Sequence, residues 1–327
     1  MSSNNYNPNL EILQDTKNGK DNNWKGRKEN TLDLAASYKR IGSNKYYRVL
    51  DCSTFLEFRL TTVNDLKLTK ANFCKVRLCP MCSWRRSLKI FGQVSRVMDH
   101  IEENYNYKYI FLTLTVKNCY GEYLKDTLDL MTKSFNKLSE RKAFKQAVKG
   151  YFRSLEITYN KKDDTYHPHF HMILAVDNNY FTNSRIYLSQ ENWTNLWKSC
   201  LKVDYTPIVD VRRIREDDNK RFGKAIAETA KYTVKAEDFL IRDEKGNIKK
   251  SLTDKVVKVL DLALHRKRLT SFGFKFKEIH KKLNLDDMED GDLINTDNDE
   301  DLREDLTDII LRYQWNIGIK NYVLVEI

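Results

Sequence analysis

The chain has 327 residues, 41% of them hydrophobic and 12% aromatic, which excludes a disordered protein and fits one elaborated domain or two modest ones. The net charge of +11 is unevenly spread: Leu285 to Asp308 holds twelve acidic residues and one basic one, a window of −11 that leaves +22 on the remainder and points to a nucleic-acid partner. The apolar runs Tyr109 to Val116 and Phe170 to Val176 fall far short of the roughly 20 residues that span a bilayer, and the polar amino terminus lacks a secretory apolar core, so a cytoplasmic protein with no membrane partner is expected.

Residues 1–30 are polar, rich in Asn and Lys and without periodicity, and read as a flexible leader. Residues 31–104 read as a cysteine-rich, zinc-binding and basic-helix segment. Within it Cys74, Cys79 and Cys82 follow the order Cys-x4-Cys-x2-Cys, and the closing Cys-Pro-Met-Cys turn brings two thiolates together as half of a tetrahedral zinc site requires. Cys52 is the nearest earlier candidate for a fourth ligand. A Cys-x2-Cys alone is shared by redox pairs and zinc sites, but six cysteines over this length are not a disulfide scaffold, and the third cysteine with its flanking arginines favours structural Zn2+. Cys119 and Cys200 have no partner at ligand spacing.

From Trp84 to Ile101 the residues Leu88, Phe91, Val94 and Met98 recur at helical spacing with Arg85, Arg86, Lys89 and Arg96 between them, predicting a helix with a basic side. Arg77, Arg85 and Arg86 are accordingly assigned to DNA binding, with a second basic segment, Lys255 to Arg268, helical in pattern. A period-two run from Tyr107 to Val116 predicts a strand, Glu122 to Leu138 a helix, and Tyr151 to Tyr159 and Tyr166 to Val176 a strand pair joined by a polar hairpin turn. Gln190 to Leu201 reads as a helix, Tyr205 to Ile214 as a strand, Gly223 to Val234 as a helix, Ser271 to Phe274 as a loop or turn, and Tyr322 to Ile327 as a last strand. The alternation, without a long crossover at every step, predicts an α+β fold: a mainly antiparallel central sheet with flanking helices. The main α+β domain is expected over 105–282 and an acidic linker with a carboxyl-terminal segment over 283–327.

In a strand, His169 and His171 point to one face while Phe170 points to the other. If the hairpin turns symmetrically about Lys162 and Asp163, Glu156 lies opposite His169 on the same side, and a carboxylate and two imidazoles form a mixed N/O site suited to Mg2+ or Mn2+. A slip of one residue in register would turn Glu156 away. His167 shares the period, but Pro168 marks the start of the regular ladder, and His167 ranks below the other two, as a DNA contact or surface residue. Glu228 and Tyr232, four apart, share one face of the expected helix, with Lys235 a turn later. A phenol of unperturbed pKa about 10 is ionised only on the order of one part in a thousand at neutral pH, so a nucleophilic tyrosine needs a positive field or a base, which Lys235 could supply. Spacing alone does not select Tyr232 from the 18 tyrosines.

Phe111-Leu112-Thr113-Leu114-Thr115-Val116-Lys117-Asn118, His-Pro-His-Phe-His at 167–171 and Ala230-Lys231-Tyr232-Thr233-Val234-Lys235 resemble, in that order, the three motifs of the HUH endonucleases. With the upstream Cys-Pro-x-Cys followed by Trp-Arg-Arg-Ser, and the later Ser271-Phe272-Gly273, the chain resembles the single-tyrosine initiators of Gram-positive rolling-circle plasmids from about Cys52 to Lys277. The resemblance implies a site-specific nickase and strand transferase, with 105–282 as its HUH nuclease domain. His169 and His171, with Glu156 as third candidate, hold the divalent ion. Tyr232 attacks the scissile phosphate, leaving a 5′-phosphotyrosine and a 3′-OH primer, and Glu228 activates water for the terminating cleavage. Lys231, inside the third motif, joins the DNA-binding set. No Gly-x4-Gly-Lys-Ser/Thr loop is present, so unwinding falls to a host helicase and extension to a host DNA polymerase. The DNA partner is the plasmid double-strand origin, single-stranded or supercoiled, and a homodimer is among the assemblies allowed. Related alternatives are a relaxase or single-tyrosine transposase. A non-catalytic zinc-ribbon regulator would need the cysteines but not the Glu156, His169, His171 and Tyr232 set. The acidic window maps to nothing in the family pattern, and Met288 stands where an EF-hand needs an oxygen ligand.

Overall fold

The computed structural model describes residues 11–17, 20–214, 223–230, 233–296 and 306–326. In chain order the elements are β1 (Thr16–Lys17), β2 (Lys20–Asp21), α1 (Trp24–Arg40), α2 (Tyr46–Asp51), β3 (Phe55–Thr61), β4 (Leu66–Ala71), α3 (Pro80–Asn104), β5 (Tyr107–Thr115) and β6 (Cys119–Tyr120). A 3-10 turn at Gly121–Tyr123 leads into α4 (Leu124–Glu140), α5 (Lys142–Ala147), β7 (Val148–Asn160), β8 (Thr165–Asp177), α6 (Gln190–Leu201), β9 (Val209–Ile214) and α7 (Gly223–Thr229). Then come α8 (Ala236–Phe239), α9 (Lys250–Ala263), β10 (Thr270–Phe274), α10 (Lys275–Lys282), β11 (Leu306–Asn316) and β12 (Asn321–Glu326). The architecture is α+β with antiparallel sheets, as expected.

Two compact units emerge, one formed by 1–85 with 292–327 and the other by 86–291. The boundary at 85 rather than 104 reflects α3, whose Ile90, Val94 and Met98 share a core with β8, and the carboxyl-terminal strands join the first unit because β11 pairs with β3, across some 250 residues of sequence, in the sheet β12-β11-β3-β4. Hydrophobic periodicity reports local structure and is blind to such a pairing.

The second unit is built on the sheet β10-β7-β8-β5-β9, with β6 on the end of β8. Odd residues of β8 face one way and even residues the other, so the two sides carry different loads. On the even side Phe170 meets Phe135 of α4, whose Leu124, Leu128, Met131 and Leu138 are also buried. Between these two rings the buried Arg153 guanidinium lies over both, 4.3 Å from the Phe170 centroid and 4.9 Å from that of Phe135. On the odd side Ile173 and Ala175 join a core with Ile90, Val94 and Met98 of α3 and Ile226 of α7. The histidines of β8 therefore share the face that α7 covers.

Several expectations need correction. The described part of the leader is folded, with β1 paired to β2 and Trp24 opening α1: the indole is buried, donates to Asp15 at 2.6 Å and lies edge-on to Phe58 and Trp84, so one aromatic anchors a segment whose composition reads as coil. Ser271 to Phe274 is strand, pairing Gly273 with Tyr151 of β7. A Cβ at Gly273 would lie 2.0 Å from the Tyr151 ring, so glycine marks a close approach rather than a turn. The helix expected over 223–234 is described as far as Thr229, with Thr233 and Val234 in a bend. The strand expected from Tyr205 begins at Val209, and the helix expected over 255–268 runs from Lys250 to Ala263. Part of the acidic window is packed: Glu289 is buried and its Oε1 accepts from the amides of Leu269 and Thr270 at 2.7 Å and from the Thr270 hydroxyl at 2.9 Å.

Candidate active site and cysteine centre

The hairpin of β7 and β8 turns at 161–164, and its register pairs Glu156 with His169 and Tyr159 with Tyr166, the symmetric alternative expected from the sequence. On the other side of β8, β5 pairs Thr113 with His171 and Thr115 with His169. Three adjacent strands thus place a carboxylate, two imidazoles and a hydroxyl on one face.

Their polar atoms converge. His169 Nε2 lies 3.1 Å from His171 Nε2 and 3.5 Å from Glu156 Oε2, and His171 Nε2 lies 3.0 Å from the same oxygen. His169 Nδ1 donates to the His167 carbonyl at 3.1 Å, which leaves the Nε2 lone pair pointing into the cluster. His171 Nδ1 is hydrogen-bonded to the Thr113 hydroxyl at 3.2 Å, the orienting partner that metal-binding histidines commonly have. An octahedral ion with ligands near 2.1 Å separates neighbouring ligand atoms by about 3 Å, so these three atoms fit one face of an octahedron and leave the opposite face for oxygen ligands. The donor set fits Mg2+ or Mn2+.

Glu156 is the hinge of the electrostatics. Burial pushes its carboxyl up, but hydrogen bonds and charge from His169 and His171 outweigh that and hold it far below the usual carboxylate range. Its other oxygen, Oε1, lies 3.6 Å from Lys235 Nζ. The strand also ties down the chain from the third motif: Ile157 donates its amide to the Thr233 carbonyl at 2.7 Å, one residue from Glu156 and directly after position 232. Glu228 is half-buried on α7. Lys231 and Tyr232 lie outside the described residues. His167 stays at the edge, with Nδ1 2.8 Å from Asn118 Oδ1, and is not among the converging ligand atoms. Thr113 is the site residue that sequence reasoning missed: it lies in the first of the three motifs, but only the β5–β8 register gives it its partner.

In the first unit Cys52, Cys74, Cys79 and Cys82 come together, all buried, with sulfur separations of 3.6 Å for Cys52–Cys82, Cys74–Cys82 and Cys52–Cys79. A tetrahedral zinc with sulfurs near 2.3 Å sets them about 3.8 Å apart, so the four thiols fit Zn2+. The amides of Cys74 and Val76 donate to the sulfurs of Cys52 and Cys74, both at 3.4 Å. Burial pushes the Cys79 thiol up, yet hydrogen bonds from the other three cysteines outweigh it and hold Cys79 well below the ordinary thiol value, while the same network drives Cys52 and Cys82 well above it.

The basic side of α3 is not where the sequence placed it. Arg85 Nε and Nη2 donate to the carbonyls of Leu293 and Ile294 at 2.8 and 2.7 Å. Arg86 Nε donates to the Glu289 carbonyl at 3.0 Å, and Lys89 pairs with Asp286 at 2.6 Å. All three are buried, which corrects the assignment of Arg85 and Arg86 as exposed DNA contacts: the irregular acidic segment offers carbonyls that these cations satisfy. Arg77 is half-buried, and its carbonyl accepts from the Ser83 hydroxyl.

A family model described as replication protein matches residues 65–323. The chain belongs to this family of replication proteins. A "Protein rep" of Bacillus amyloliquefaciens is 42% identical over 96% of this chain and 97% of its own, and one of Streptococcus pneumoniae serotype 2 is 41% identical over 95% and 94%. A "Replication protein" of Staphylococcus aureus is 43% identical over 70% of this chain and 96% of its own. No solved structure matches. The family supports the coarser reading made from the motifs, an initiator of plasmid replication of the Gram-positive type. Among the described residues no helix of this replication protein is long and apolar enough to cross a membrane.

Proposed function

We propose that this replication protein starts rolling-circle replication in the cytoplasm by nicking one strand of the plasmid double-strand origin, with Tyr232 as nucleophile and a divalent ion held by Glu156, His169 and His171. The observation that carries the reading is the triangle of ligand atoms, 3.0 to 3.5 Å on a side, on the hairpin strand that also binds the main chain next to position 232. Bound Mg2+ or Mn2+ would polarise the scissile phosphate and offset charge developing on it. Glu156 and the imidazoles orient the site, and Thr113 fixes one ring. Lys235, 3.6 Å from the carboxylate, would add a positive field to favour the phenolate of Tyr232.

The phenol oxygen attacks phosphorus as the 3′ oxygen leaves, giving a 5′-phosphotyrosine and a 3′-OH from which a host polymerase extends while a host helicase unwinds. Glu228, on the helix that covers the histidine face, is suited to take a proton from water when the cycle ends by hydrolysis. The cysteine centre would hold structural zinc, and Lys231 would bind the DNA backbone. Purified protein is mixed with supercoiled DNA carrying its own origin and Mn2+. Nicked circles with protein on the 5′ end are expected. Tyr232→Phe should abolish nicking while origin binding persists, and continued cutting by that variant would move the nucleophile elsewhere. A gel shift without cutting by the wild type would instead indicate a non-catalytic regulator.

A further inference from the structure

Lys28 of α1 is fully buried, and among the described residues its ammonium hydrogen-bonds only to carbonyls, while the exposed Asp51 carboxylate acts on it from further away. Its ammonium donates to the carbonyl of Leu50 at 3.0 Å and to that of Cys52, a ligand of the cysteine centre, at 2.6 Å. One turn later Thr31, also buried, lies with its hydroxyl 3.7 Å from Cys79 Sγ and accepts the Met81 amide at 3.4 Å. The amides of Cys74 and Val76 point at the sulfurs as well. A buried cation held only by neutral carbonyls is unfavourable, because carbonyl dipoles do not replace bulk hydration. Four neutral thiols would leave that charge only the exposed, solvent-screened Asp51 as counter-charge. Four thiolates around Zn2+ carry a net charge of −2, itself costly to bury, and a cation against the backbone of one ligand offsets part of it.

We propose that Lys28 is a charge-compensating residue of the cysteine centre, holding it in its anionic, metal-loaded form and tying the fold of α1 to metal binding. This rests on the zinc reading of that centre. It is separate from the nuclease site, and it gives the segment of residues 1–30 a task its composition does not suggest. Charge compensation makes a prediction that packing does not. With metal, Lys28→Met removes the balancing cation and weakens the centre. Without metal, the same change removes a buried charge balanced only by the exposed Asp51 and relieves the fold.

The test uses the full-length protein with zinc titrated against a chromophoric chelator, and thermal unfolding recorded on loaded and chelator-stripped samples. Lys28→Met should bind zinc about 10- to 100-fold more weakly than wild type, the usual effect of losing an outer-sphere partner. The stripped variant should unfold at or above the temperature of the stripped wild type, while the loaded variant unfolds below loaded wild type. Equal loss of stability in both states, with unchanged zinc affinity, would show Lys28 to be packing alone and overturn the proposal. If Lys28→Met does not accumulate as folded protein, Lys28→Gln keeps an N–H donor without charge and should show the same weakened affinity. Wild-type protein that holds no zinc would sink the zinc reading and this inference together, whereas zinc-loaded wild type with an indifferent variant sinks only the inference.

Discussion

Thr113 carries no charge and binds no metal, yet its hydroxyl meets the outer nitrogen of His171 and so decides which nitrogen faces the cluster. Valine has nearly the same shape and no hydroxyl. Thr113→Val should leave the strand intact, free the His171 ring to rotate, and weaken Mn2+ binding about 10- to 100-fold, as loss of such a partner typically does. Titration of the purified variant with Mn2+, followed by electron paramagnetic resonance, reads this directly, and affinity equal to wild type would show that packing alone holds the ring. Glu156→Gln should do more harm. It keeps size but removes the charge that faces both imidazoles and Lys235, so the triangle loses its only anionic member and the lysine its counter-charge.

At the level of elements, β10 shows how a close approach shapes a strand. Gly273 pairs with Tyr151, and the tyrosine ring fills the space a side chain would need. Gly273→Ala should destabilise the protein by about 1–3 kcal/mol through overpacking, measured as a lower denaturant midpoint. An unchanged midpoint would mean that the ring yields freely. Glu289 then closes the same edge, receiving the amides that precede and begin β10. Neither role can be read from sequence, where Ser271 to Phe274 has the glycine of a turn and Glu289 sits in an acidic run that suggests solvent. What could be read was local and periodic: the alternation from Tyr107, the apolar stripe of α4, and above all the hairpin, whose symmetric turn fixed Glu156 opposite His169. Pairings across long separations, such as β11 with β3, left no periodic trace. Apolar spacing continues through Val234 and so predicts helix past Tyr232, while the described helix ends at Thr229 and the chain at Thr233 and Val234 bends, giving the Thr233 carbonyl to β7.

Over the whole molecule, the excess of basic residues is a long-range force whose useful part is smaller than the formula suggests. Binding to duplex DNA releases counterions, and log K falls with log salt at a slope of about −0.9 per phosphate neutralised. Only cations able to reach phosphates contribute. Lys28, Arg85, Arg86 and Lys89 are buried and their head groups engaged with carbonyls or carboxylate, so they count in the formal charge but not in that slope. Arg85→Ala and Arg86→Ala should therefore leave the salt dependence of origin binding within error of wild type, while lowering stability, because the first takes the donor from the Leu293 and Ile294 carbonyls and the second from that of Glu289. A true phosphate contact behaves in the opposite way, with the slope reduced by about 1 per residue and little change in unfolding. Fluorescence anisotropy of a labelled origin duplex across a salt series separates the two. A slope that drops by about 1 in either variant would return that arginine to the DNA-binding surface from which its burial removes it.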